Sequence, residues 1–190
     1  LGDVYKRQLV GCEPGADVVF ATSVSGRDIP VLGVADAVGM QLNTIPVVAP
    51  GQSDPTLPVT SMLHAMVHHN NQVRDVQHVS LADIARDLGT NASELLDTLM
   101  VVEVPLSPQD VGCPGSPLQV ADVRNNGAPH FPLSVVVNPS AEHPLRLIYD
   151  PQRITEVRAE RIAQMLAVSV DSLLSESGAV ATVGEVAEAL

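Results

Sequence analysis

The sequence predicts an α/β fold, a two-layer sandwich in which helices cover one face of a mixed β-sheet. Three observations lead there. Short β-branched runs alternate along the chain with longer stretches whose apolar residues recur at helical spacing. Each helical stretch carries one apolar stripe, so each buries one side. Hydrophobic residues make up 45% of the 190 and aromatic ones 2%, enough for a core built from Val, Leu, Ile, Ala and Met.

The first strand is expected at Val18 to Val24, ended by Ser25-Gly26, where glycine permits a turn that other residues resist. Arg27 then projects from a tight corner, where an arginine is expected to pair with a carboxylate between elements. Leu42 to Val48 is a second extended run. Because Pro46 has no N–H to give to a ladder, that run is expected at the edge of the sheet. From Val59 to Val76, residues Val59, Met62, Leu63, Met66, Val67, Val73 and Val76 mark a helix. Ser80 and Asp83 form a capping box for the short helix LADIARDL, which Gly89 stops. Strands follow at Thr98 to Val104, Phe131 to Val137 and Leu145 to Tyr149, the last two joined as a hairpin through Asn138 to Pro144. Pro105 to Pro129, rich in Pro, Gly, Ser and Asn, reads as a long surface excursion. Thr155 opens a helix with Val157, Ile162, Met165, Leu166, Leu173 and Leu174 on one face, and Thr182 with Glu185 caps a final helix.

Composition excludes several functions. A formal charge of −12 repels a phosphate backbone, and few rings exist for bases to stack on, so no nucleic-acid partner is expected. Cys12 and Cys113 form no CxxC pair, which argues against a disulfide framework or a zinc site and suits a cytoplasmic protein. No apolar run reaches the roughly 20 residues a membrane span needs. Leu1 to Gln8 continues into no apolar pattern and resembles translated adapter sequence, the other reading being a genuine, disordered amino terminus, and residues 1–8 are set aside from fold reasoning. Length allows one domain or one lobe of a larger one, expected over residues 9–180, with 181–190 expected to begin a linker to a following domain.

No independent catalytic centre emerges from the residues. His64 and His68 stand four apart on the Val59 helix with no intervening glutamate and no third ligand, so no metal is assigned. Ser23 and Ser25 have no nearby His-Asp partner, the acidic residues are unpaired, and Gly33 and Gly39 fit no phosphate-loop spacing.

Two segments carry a family likeness. Ser25-Gly26-Arg27 at the end of a strand, followed by Val38-Gly39-Met40-Gln41-Leu42-Asn43-Thr44-Ile45-Pro46, resembles the second half of a condensation domain of nonribosomal peptide synthetases. Val79 to Ile84, Leu96 to Glu103, Phe131 to Ser134 and Leu147 to Asp150 resemble later segments of the same family in order and spacing. Ala21, where relatives carry Gly, and Gln41-Leu42, where an aromatic residue commonly precedes Asn-Thr, depart from the pattern. The family's catalytic signature, HHxxxDG, is not found: after His68-His69 the required Asp and Gly positions hold Val73 and Arg74.

The resemblance implies a chloramphenicol-acetyltransferase-like lobe, one of two that form a V around a tunnel. Carrier proteins insert phosphopantetheine arms into that tunnel, and an acceptor amine attacks a donor thioester to make an amide. Expected partners are therefore the amino-terminal lobe, peptidyl or acyl carrier proteins and an adjacent adenylation domain, with no cofactor bound directly. Asn43 and Thr44 are placed on a latch-like crossover beside the tunnel, Asn43 bonding either the substrate or the histidine loop, or else its own backbone. Ser25, Gly26, Arg27, Gly39 and Pro46 are structural, and no catalytic residue is assigned in this chain. The other readings are a free-standing acyltransferase of the same superfamily and a non-catalytic docking domain. The isolated chain is expected to be inactive and to self-associate through exposed apolar area that includes the Leu42 to Val48 edge.

Overall fold

The computed structural model describes residues 18–27, 29, 31–49, 56–103, 130–139, 143–175 and 181–188. Five strands, β1 (Val18–Val24), β2 (Asn43–Ala49), β3 (Thr98–Val102), β4 (Leu133–Val137) and β5 (Leu145–Tyr149), form one sheet in the order β2-β1-β3-β4-β5. The inner pairs β1/β3 and β3/β4 are parallel and the outer pairs β1/β2 and β4/β5 antiparallel, which is the mixed sheet expected. β2 lies at an edge, with Pro46 opposite Ala21, so the missing N–H of the proline disrupts no central ladder.

The α-helices of the described residues are α1 (Val59–Val73), α2 (Leu81–Asp87), α3 (Ala92–Leu95), α4 (Glu156–Leu174) and α5 (Val183–Glu188). Register shows where the two long ones sit. Met66 of α1 packs on Val18, Phe20, Val47 and Ala49, while Ile162 and Leu166 of α4 pack with Leu133, Leu147 and Tyr149. Strand residues paired across a ladder share a face, as do residues two apart along one strand. The chain of pairs Phe20/Val47, Thr22/Met100, Met100/Val135 and Leu133/Tyr149 therefore puts both helices on the same side of the sheet. Neither cluster includes β3, where Met100 and Val102 stay exposed.

The helical stripes are narrower than the sequence pattern suggests. Val59 and Met62 are buried in α1, but Leu63 and Val67 face solvent, as does Val76 in a 3₁₀ turn (Arg74–Val76) beyond the helix. In α4, Ile162 and Met165 are buried, whereas Val157 and Leu174 are exposed. A flat sheet meets a helix along one line, and residues 100° off that line miss it. Pro105 to Pro129, Cys12, Cys113 and residues 1–8 lie outside the described residues.

The caps follow the sequence closely. Ser80 Oγ accepts from Asp83 N at 3.1 Å and donates to the Asp83 carboxylate at 2.6 Å, opening α2. Thr155 Oγ1 accepts from Arg158 N at 3.4 Å at the start of α4. Thr182 and Glu185 form the reciprocal box of α5, with Thr182 N donating to Glu185 Oε2 at 2.8 Å and Glu185 N to Thr182 Oγ1 at 3.3 Å. α5 is tied to the segment that opens α1: Val59 N donates to Ala181 O and Val183 N to Leu57 O, and Val186 is buried. Replacing Ser80 with alanine removes one N-cap acceptor and should cost about 1 kcal/mol of unfolding free energy in a urea titration.

Candidate functional site

The residues singled out by sequence converge on the connection between β1 and β2. β1 ends at Val24, and the chain turns at Gly26 with φ of 66°, a left-handed conformation that side chains with a Cβ resist. The turn is also crowded. A Cβ at Gly26 would stand 2.3 Å from Gln41 O, so the returning backbone lies where any other residue's side chain would begin. Ser25 Oγ accepts from Arg27 N at 3.2 Å, closing the corner from its other side.

Arg27 then organises the loop that follows. Its Nη1 donates to the carbonyls of Val34 (3.4 Å), Ala35 (3.0 Å) and Ala37 (2.9 Å), and its Nη2 to Gly39 O at 3.4 Å. The expected carboxylate is thus replaced by four carbonyls, around the 3₁₀ turn Val34–Asp36. The reason is geometric: the end of a short helical turn presents C=O groups carrying partial negative charge with lone pairs to spare, Val34 O also accepting from Ala37 N, and a planar fork of N–H donors reaches several at once. Gly39 takes part through its carbonyl and has φ of 153°.

Asn43, the first residue of β2, has both amide hydrogens engaged by carbonyls of this chain. Nδ2 donates to Gln77 O at 2.7 Å and to Val79 O at 2.9 Å, and Oδ1 accepts from Thr44 N at 2.9 Å. With two carbonyls facing one end of the side chain, the amide orientation is set by chemistry. Asn43 therefore does two things at once: it satisfies its own strand's backbone, and it staples β2 to the link between α1 and α2. What remains for any other contact is one lone pair on Oδ1. Thr44, next along, is half-buried and pairs with Ser23 in the ladder.

Two features of this region are not legible in the sequence. Gln77 is buried, and its carbonyl and that of Val79 are the acceptors on which Asn43 depends. No residue-type pattern marks a backbone acceptor 34 or 36 positions away. The second is the loop itself. Leu32 and Val38 are fully exposed, Met40 is 88% exposed, and Val31 and Leu42 are also on the surface. The signal available for it is a mix of apolar residues with Gly33 and Gly39 that matches neither helical nor strand periodicity. The strand edge expected to carry the exposed apolar area does not: Ile45, Val47 and Ala49 are buried and Thr44, Pro46 and Val48 half-buried. Beyond Leu42, the exposed surface belongs to the preceding loop, because the odd-numbered residues of β2 turn toward the layer that holds α1.

The histidines lie elsewhere. His64 and His68 are exposed on α1, His69 is half-buried, and Gln72 Nε2 and His68 Nε2 stand 3.1 Å apart. Among the described residues no three His, Cys, Asp or Glu side chains gather as metal ligands. Glu94 of α3 is held below the usual carboxylate range, first by the hydroxyl of Thr90 at 2.9 Å and then by Asn91, which makes it part of a helix start and not of a catalytic pair. Among the described residues no helix is long and apolar enough to cross a membrane.

Comparison with known proteins adds to this geometry. The sequence profile of the family described as "Condensation domain" matches residues 4–179. Tyrocidine synthase 2 of Brevibacillus parabrevis is 28% identical over 171 residues, 85% of this chain and 4% of that protein. Vanchrobactin synthetase VabF of Vibrio anguillarum is 30% identical over 154 residues, 79% of this chain and 5% of that protein. Among solved structures, the first condensation domain of the CDA synthetase superposes with a TM-score of 0.62 at 20% identity, covering 97% of this chain and 39% of that one. That likeness establishes a shared fold. The chain spans a few per cent of the curated relatives and about two fifths of the solved domain.

Proposed function

This chain belongs to the condensation-domain family, and on that premise we propose that it is the carboxy-terminal lobe of a domain joining carrier-bound aminoacyl or peptidyl thioesters into amides. The observation that carries this reading is a family match over nearly the whole chain in a segment that spans only about two fifths of a solved relative. The sequence lacks HHxxxDG, which fits a lobe that works with another.

In the reaction, the amine nitrogen of the acceptor attacks the donor thioester carbonyl. A C–N bond forms, the C–S bond breaks, the thiol of the donor's phosphopantetheine arm leaves, and the amine's proton is taken up by a base or solvent. The base belongs to the other lobe. This lobe contributes a wall of fixed geometry: Gly26 and Arg27 set the β1–β2 corner, and Asn43 holds the entry of β2 against the α1–α2 link. Asn43 and Thr44 thus serve the tunnel as positioning residues, with one lone pair of Asn43 left for a neighbour. The partners are the amino-terminal lobe, acyl and peptidyl carrier proteins and a neighbouring adenylation domain, in the cytoplasm.

The test compares the parent synthetase with the 190-residue chain. Given carriers loaded with donor and acceptor, the parent should yield the amide product by mass spectrometry and the isolated chain none above the uncatalysed rate. Amide formation by the isolated chain, or none by the parent with loaded carriers, would overturn the proposal.

A further inference from the structure

We propose that His64 and His68 form a two-point chelate for a divalent ion of the late first-row transition series, copper(II) above all, on the exposed face of α1. The site is independent of the amide-forming reading, and no step of that reaction passes through it.

α1 supplies a rigid base. Val59 and Met62 are buried, and Met66 packs on Val18, Phe20, Val47 and Ala49, so the helix is held against the sheet along one side. His64 and His68 lie on the opposite side, both exposed to water. Residues four apart on a helix are neighbours, with Cβ atoms about 5–6 Å apart. Two imidazoles at that spacing can close on one ion with metal–nitrogen bonds of about 2.0–2.1 Å. Ligands carried on a packed helix keep their spacing better than ligands on a loop.

His68 has a bare nitrogen to offer. Gln72 Nε2 stands 3.1 Å from His68 Nε2, and an amide NH₂ only donates, so this contact selects the tautomer whose Nε2 holds a lone pair. An arriving ion competes with that one exposed hydrogen bond. Charge on the helix does not interfere: the fifteen residues of α1 include no Asp, Glu, Lys or Arg, so no cation repels the ion and no carboxylate draws it off the imidazoles. The chain as a whole carries −12 and attracts cations to its surface.

The donor set selects the ion. Neutral imidazole suits copper, nickel and zinc, whereas magnesium and calcium take oxygen ligands. Zinc sites use three or four protein ligands, and among the described residues no three His, Cys, Asp or Glu side chains gather. Tetragonal copper(II) accepts two adjacent nitrogens with water in its remaining positions, and it heads the affinity order of the series. With two protein ligands and an open shell, the bound ion stays exchangeable.

Titration of the 190-residue chain with copper(II) alone, followed by calorimetry and electron paramagnetic resonance, tests the assignment. The spectrum should show two equatorial nitrogens. Joining two ligands on one scaffold raises affinity on the order of 100-fold or more, so His64→Ala and His68→Ala should each weaken the site by about that factor and abolish the two-nitrogen signal. His143→Ala, an exposed histidine in the β4–β5 hairpin, should change neither. Cys12 and Cys113 are common to every variant, so differences among variants report the imidazoles. Because the replaced side chains are already in water, all three variants should keep the melting temperature of the unaltered chain without metal. Added copper should raise that temperature in the unaltered chain and in H143A, and in neither pair variant. Unchanged affinity in H64A and H68A, an equal loss in H143A, or a signal with fewer than two nitrogens in the unaltered chain would overturn the inference.

Discussion

Replacing Gly26 with alanine is expected to lower the stability of the fold by about 3 kcal/mol, combining a left-handed conformation that costs an L-residue roughly 1–2 kcal/mol with a backbone collision. The new Cβ would lie 2.3 Å from Gln41 O, and the obstacle is main chain, not the flexible end of a side chain. Relief requires moving Gln41, two residues before Asn43 and its bonds to the α1–α2 link. The disturbance should therefore spread beyond the turn. Urea titration should show a lower midpoint with an unchanged slope. Gly33 is the control: it has φ of 79° but nothing within 4 Å of where its Cβ would be, so its alanine variant should lose only about 1 kcal/mol. Equal losses at the two glycines would refute the crowding argument.

Asn43→Asp is expected to cost about 3 kcal/mol at neutral pH. The substitution keeps the shape and removes both donors, so the Gln77 and Val79 carbonyls lose their bonds at 2.7 and 2.9 Å and face a negative oxygen instead. An orphaned partly buried acceptor costs roughly 1–3 kcal/mol, and charge repulsion adds to two of them. The pH dependence has a definite sign. Two carbonyl dipoles disfavour the ionised form in the folded state, so the folded pKa of the introduced carboxyl is raised above its unfolded value of about 3.9. The penalty is then full above the folded pKa and fades as pH falls through it toward the unfolded one, where both states hold the proton. The difference in unfolding free energy between variant and parent sequence should therefore shrink on acidification. A difference independent of pH would mean that the side chain at 43 does not face those carbonyls.

Much of this fold is legible because its signals are local. Pro46 lacks a donor wherever it sits, so the edge position of β2 can be read from one residue. Ser80/Asp83 and Thr182/Glu185 close capping boxes within three positions, and the structure keeps both. Helix periodicity identifies α1 and α4, yet it overstates their buried faces at Leu63, Val67, Val157 and Leu174. Period alone cannot say how wide a strip the neighbouring layer covers.

The site is legible in its residue names and opaque in its bonds. Gly26 and Arg27 stand out within their motif, and glycine's role follows from the backbone it must adopt. That Arg27 grips four carbonyls instead of a carboxylate depends on a 3₁₀ turn seven residues later, which residue types alone do not mark.

From sequence alone came the class of the sheet, the edge strand, the caps and the family, because each is written in residue type at short range or in the order of short motifs. Tertiary structure decided which carbonyls Asn43 and Arg27 hold, and that the apolar surface lies on residues 31–42 and not along β2. Those outcomes turn on backbone acceptors and on which side of a strand meets a helix. Every residue offers the same carbonyl, so only the folded path of the chain distinguishes one acceptor from another.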